Sequence, residues 1–282
     1  LTMIIPSRWF AGGRGLDSFR DEMINDKNIR VLHDYINASE CFPGVEIKGG
    51  VCYFLWDRDK EGTCEVVTHD SGKIISSLHR FLKEDNSDIF IRYNESIPIL
   101  HKIQSLKEKT LETIISSQKP FGLRTYFQGK NNPFFNSIKV YANKNVGYID
   151  INEIIQNEEW ISKHKVIVPR AIGSGDSKTD HIKPIYAEPN SCCTETYIVI
   201  GPLNSKQEAT NLISYIETKF FHFLVTLKKN TMMAPKSVYS FVPLQDFTES
   251  WTDEKLYKKY NLTKEEIAFI DSMIRPMGES DE

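Results

Sequence analysis

Leu1-Thr2-Met3-Ile4-Ile5-Pro6, then Gly15 to Asn25, then Ile29-Arg30-Val31-Leu32 is the stretch that decides the fold. The first is a short apolar run stopped by proline, which reads as a buried strand already in progress. The second places Leu16, Phe19, Met23 and Ile24 on one helical face, and the third reads as another strand. Strand, helix, strand predicts an α/β unit. A chain that opens inside a core strand reads as a piece of a longer protein. Outward from there, Phe42-Pro43-Gly44-Val45-Glu46-Ile47-Lys48-Gly49-Gly50 is a Gly/Pro-rich loop, and Val51-Cys52-Tyr53-Phe54-Leu55-Trp56 is a hydrophobic strand. Cys64 to Thr68, reached across Glu61-Gly62, predicts a closing hairpin with it.

Ser71 to Asn94 reads as a surface connection with one helix around Ser76 to Lys83, and a helical pattern then runs from Pro98 to Ile115. Beyond Pro120, short β-rich runs alternate with turns: Ile138 to Ala142, Val146 to Ile149, Val166 to Val168 and Thr196 to Ile200. One helix, Ser205 to Leu227, interrupts them, with Asn204 or Ser205 as its cap and Glu208 in capping-box position. A C-terminal helix spans Lys264 to Met273. The pattern predicts α/β followed by α+β: 1–70 as the first unit, 71–117 as a helical linker and 118–282 as a mixed second domain.

The 282 residues, 40% hydrophobic and 26% charged, have globular composition and can bury two cores. No apolar run reaches a membrane-spanning length of about 18 residues, and five cysteines without a Cys-x-x-Cys indicate neither a disulfide framework nor a zinc site. A reducing, cytoplasmic setting without membrane partners is expected. The net charge of −3 conceals a division: residues 1–117 hold 15 Lys/Arg against 18 Asp/Glu, residues 118–250 hold 15 against 12, and residues 251–282 hold 5 against 8. The basic middle is where a polyanion would be met.

Several strings imitate catalytic motifs. Gly12-Gly13-Arg14-Gly15 lacks the spacing of a dinucleotide or Walker loop and reads as a turn. Gly173 to Thr179 puts Ser177 where a Walker loop needs glycine, which argues against NTP hydrolysis, though it could touch a nucleic-acid backbone. The seven histidines lack metal-ligand spacing, so no metal is expected, and Asn132-Pro133-Phe134-Phe135 reads as a loop.

Ile4-Ile5-Pro6-Ser7-Arg8-Trp9-Phe10, Phe19-Arg20, Cys41-Phe42-Pro43-Gly44-Val45 and Gly49 to Trp56, with later strings such as Phe241-Val242-Pro243-Leu244-Gln245-Asp246-Phe247, resemble adenine-N6 DNA methyltransferases of restriction-modification systems, Eco57I-like and TaqI-like. The resemblance implies that 1–70 is the end of a Rossmann-like methyltransferase sheet and 118–282 a target-recognition domain. It implies S-adenosylmethionine as the parent enzyme's methyl donor, double-stranded DNA as partner, and Phe42 as the ring that stacks on the extruded adenine. The family's glycine-rich donor-binding turn and its Asn/Asp-Pro-Pro-Tyr/Phe tetrapeptide do not occur in this sequence. Catalytic residues are therefore expected on a missing N-terminal portion or subunit, and methylation by this chain alone is not. Expected DNA contacts are Lys48 beside Phe42, then Arg124, Gln128, Lys130, Asn131 and Asn132, then Arg170 and Lys178, then Lys228, Lys229, Asn230 and Lys236. Two other readings stay open: a specificity subunit docking on a separate catalytic protein through its acidic C-terminal helix and tail, and an unrelated small-molecule enzyme using Gly12 to Gly15.

Overall fold

A computed structural model describes residues 1–172, 182–229 and 231–274, and these fall into two units, Leu1–His101 and Lys102–Glu282. In the first, β1 (Thr2–Pro6) leads through α1 (Asp17–Asn25) to β2 (Ile29–Tyr35), and β3 (Val51–Trp56), β4 (Cys64–Asp70) and β5 (Lys73–Arg80) follow. Their order in the sheet is β1-β3-β2-β4-β5. β3 runs antiparallel to both β1 and β2, β2 and β4 are parallel, and β5 returns antiparallel to β4. The parallel strands β1, β2 and β4 therefore end at one common edge.

One sheet face is sealed by Leu32, Cys52, Phe54, Cys64 and Val66 against Met23 and Ile24 of α1, together with Trp9, Phe10, Leu82 and Phe90. The helix exists because Met23 and Ile24 fall on that face, while Arg20 spends its guanidinium on the carbonyls of Gly12 and Asp88.

The expected hairpin between 51–56 and 64–68 does not form. β2 lies between those strands, so that β4 gains hydrogen-bonded neighbours on both sides, β2 in parallel and β5 antiparallel. Nor is Ser76 to Lys83 a helix: Ser76 to Arg80 belong to β5, which hydrogen-bonds along β4, and Phe81 to Lys83 lie just after it. Its side chains are exposed on both faces, so the sequence shows no period-two alternation there. The expected linker 71–117 is divided between the units: β5, Leu82 and Phe90 belong to the first, and α2 (Ser96–Ser105) crosses the division.

In the second unit, β6 (Ser137–Tyr141) and β7 (Val146–Asp150) form a hairpin; β8 (His164–Pro169), β9 (Ile185–Ala187), β10 (Ser191–Cys193) and β11 (Tyr197–Leu203) complete two three-stranded sheets, β10-β6-β7 and β11-β8-β9. Phe121, Ile138, Val140, Ile149, Ile167, Cys193 and Val199 build a core between them. The single helix expected over Ser205 to Leu227 is two, α3 (Lys206–Ile216) and α4 (Lys219–Lys228). Thr218 caps α4 by accepting from the Phe221 amide, and the Asp253 carboxylate accepts from the amides of Lys219 and Phe220. The chain restarts its helix where these acceptors satisfy otherwise orphaned donors. α5 (Asp253–Lys259) and α6 (Lys264–Met273) close the unit, α6 opening on a Thr263–Glu266 capping box.

Candidate nucleic-acid interface

At the carboxyl edge of β1, β2 and β4, the first unit collects Ser7, Arg8, the loop 36–50 and the turn after Asp70. This edge is where open α/β sheets hold ligands. Asp34 at the end of β2 is buried and fully spent: Ser7 Oγ donates at 3.0 Å, and Arg92 binds it through Nε at 2.5 Å and Nη2 at 2.8 Å. A bidentate buried pair of this kind fixes geometry more than it adds stability.

The loop that follows is tied down residue by residue. Asn37 accepts from the Ser39 amide at 3.0 Å, starting a single helical turn. The Glu40 carboxylate accepts from the amides of Ser71 and Gly72 at 3.0 and 3.1 Å, clamping the loop to the β4–β5 turn. Gly50 has φ +81°, and a Cβ there would lie 2.1 Å from the Tyr35 carbonyl, so glycine is required for the chain to re-enter β3. On this fixed loop Phe42 is 39% exposed, with Lys48 exposed farther along it. An apolar ring held outside the core is the geometry that base stacking needs.

In the second unit, Arg124, Gln128, Lys130, Asn131 and Asn132 are all exposed on one segment, 124–132. Arg124 lies 3.9 Å from Glu195, whose carboxyl also accepts from the Thr125 amide and from Gln118. Burial raises the Glu195 pKa, but these donors outweigh it and hold the group below its ordinary value. Lys130 exchanges two backbone hydrogen bonds of 2.8 Å with Tyr148 of β7, so this segment runs along the sheet edge.

The remaining expected contacts are differently placed. Arg170 is half-buried at the end of β8. Lys228 donates to Ser240 at 2.8 Å and lies over the Phe241 ring, and Lys229 and Lys236 are half-buried near it. Lys178 and Asn230 lie outside the described residues. Sequence reasoning missed Phe135, which is 97% exposed beside Asn131 and Asn132. Two adjacent phenylalanines in a polar loop were the available signal.

Residues 1–42 match the family model described as the Eco57I restriction-modification methylase. The opening segment is similar to restriction-modification methylases. The match ends on Phe42 and takes in β1, α1, β2 and the start of the clamped loop. An "uncharacterized adenine-specific methylase" of Mycoplasma pneumoniae is 35% identical over 74 residues, 26% of this chain, and the match covers 18% of that relative's length. Among solved structures, the type IIG restriction endonuclease BpuSI aligns with 93% of this chain and 42% of its own, at 10% identity and a TM-score of 0.38. No helix among the described residues is long and apolar enough to cross a membrane.

Proposed function

We propose that this chain is the DNA-recognition part of a site-specific adenine-N6 DNA methyltransferase of a restriction-modification system, and that it also supplies one wall of the pocket for the extruded base. The observation that carries this reading is the methylase match over residues 1–42, which ends on the exposed ring of a clamped loop.

Adenine N6 is paired and stacked in a duplex, so the base must leave the helix before a methyl group can reach it. Extrusion costs a few kcal/mol, and an aromatic platform returns about 1–3 kcal/mol. Phe42 is that platform in our reading, with Lys48 contacting the adjacent backbone phosphate. The exposed amide and cationic groups of 124–132 read base edges, and Arg170, Lys228, Lys229 and Lys236 add phosphate contacts.

S-adenosylmethionine is the donor that the family implies. The residues present do not fit it: Asp34, the buried carboxylate at the sheet edge, is occupied by Ser7 and Arg92, and the turn at Gly13 closes on itself through the Leu16 amide. The donor and the groups that grip the adenine amine belong, in this proposal, to polypeptide outside these residues. The open edge of β1 supports that division. Met3 and Ile4 are exposed on β1, which has no partner on its outer side among the described residues, and an unpaired apolar edge strand is a template for another strand.

Fluorescence anisotropy with a pool of random duplexes, titrated from low to physiological salt, tests the recognition role. The expected result is binding whose logarithm falls linearly with log salt. Absence of binding at low salt would overturn it.

A further inference from the structure

Phe135 stands at the apex of a loop that the second unit holds rigidly away from its core. At 97% exposure it has almost no protein contact, which is rare for phenylalanine. At one end of the loop Lys130 is paired with Tyr148 through two backbone hydrogen bonds. At the other, Ser137 N donates to the Phe134 carbonyl at 3.1 Å and Phe134 N donates to Ser137 Oγ at 2.9 Å, closing a turn with Phe135 and Asn136 at its centre. Asn136 takes φ +61°, a left-handed conformation that asparagine tolerates, and its side chain donates to Asp150 Oδ1 at 3.1 Å. The Asn136 carbonyl accepts from Ile151 N at 3.2 Å, so both ends of the loop are fastened to β7 or the residue just after it. Pro133 stiffens the span between.

The surroundings select the partner. Lys130 Nζ sits 4.4 Å from the centroid of the Phe134 ring, which places a cation on the flank of the apex. Asn131 and Asn132, both exposed, bring amides that can bond base edges. The carboxylate bonded to this loop, Asp150, already accepts from Asn136 and from the Asn152 amide through the same Oδ1. An apolar tip flanked by a cation and amides fits a polyanion with stacked flat faces inside it.

We infer that Phe135 is a wedge that enters the base stack of duplex DNA, with Lys130 on the neighbouring phosphate. The inference rests on the DNA-recognition reading and adds to it a residue that separates adjacent bases, distinct from Phe42, which receives the extruded one. Inserted phenylalanines of this kind unstack a step and kink the duplex.

The test uses the 282-residue chain and the best-binding duplex selected from a random pool, carrying 2-aminopurine at successive positions. The wild-type chain should raise 2-aminopurine fluorescence at one step. Phe135→Ala should abolish that rise and weaken binding about tenfold, with the salt slope unchanged. Phe135→Trp and Phe135→Leu should retain both. Lys130→Ala should keep the fluorescence rise and reduce the salt slope by about one. Equal thermal melting of all variants is expected, since the ring is outside the core. A Phe135→Ala chain that binds and brightens as wild type does overturns the wedge, as does weakened binding with no brightening by wild type at any position. A change in sedimentation on Phe135→Ala with DNA binding intact would make the ring a protein contact instead. Failure of the wild-type chain to bind DNA at low salt would overturn the recognition reading itself.

Discussion

Lys165 is wholly buried in β8, its ammonium donating to the carbonyls of Trp160 and Lys163 at 3.1 and 2.9 Å. Burial pushes its pKa down to about 8, against the opposing pull of Cys193, Cys192 and Glu188. Between that value and the ordinary 10.5, the folded chain sheds a proton that the unfolded chain keeps, so the unfolding free energy contributed by this residue rises with pH. The stability of wild type relative to Lys165→Met should therefore climb from pH 8 towards pH 10, by at most about 1.4 kcal/mol per pH unit. Urea denaturation of both proteins at three pH values checks this, and a constant difference would contradict it. Nothing local in the sequence marks Lys165: in a β-rich run it reads as one more solvated charge. The exposed loop position of Phe42 was legible because proline and glycines surround it. The Asp34–Arg92 pair behind its loop was not, since 58 residues separate the partners.

The elements that announce themselves in sequence are those with one buried face. β3 and α6 have the boundaries that their apolar patterns predict, because each carries a hydrophobic stripe that the fold buries. β5 is misread because neither of its faces is covered, and the α3–α4 break is hidden because half of its cause, Asp253, lies on a different helix. That break yields a prediction. Thr218 Oγ1 accepts from the Phe221 amide at 3.1 Å in a buried setting, so Thr218→Ala should cost about 1–2 kcal/mol, at the upper end for an N-cap. Thr218→Ser keeps the oxygen and should recover most of the loss. Chemical denaturation compares the three proteins, and equal midpoints would mean that Asp253 alone suffices to start α4.

For the whole molecule, strands adjacent in sequence are not always adjacent in space, and this limits what a linear reading can reach. The sheet order β1-β3-β2-β4-β5 places a later strand between two earlier ones, so the first two strands were identifiable but their neighbours were not. The same order leaves the outer side of β1 without a partner strand among the described residues, while β1, β2 and β4 direct their carboxyl ends towards the Phe42 loop. In the proposed enzyme, the strand that extends this sheet belongs to the polypeptide that holds the methyl donor. In that proposal Phe42 would retain an extruded adenine by stacking but would not supply a methyl group, and this sequence contains no Asn/Asp-Pro-Pro-Tyr/Phe tetrapeptide to grip the amine. The purified chain, given duplex DNA and radiolabelled S-adenosylmethionine, should therefore transfer no label above background. The same chain joined to, or mixed with, a polypeptide that carries the tetrapeptide should transfer label to adenine. Phe42→Ala in that complete system should slow transfer while leaving the salt slope of DNA binding unchanged, because the ring meets a base and not a phosphate. Label transferred by the isolated chain would mean that its own residues bind the donor, and the division of labour proposed for β1 and its missing neighbour would fall.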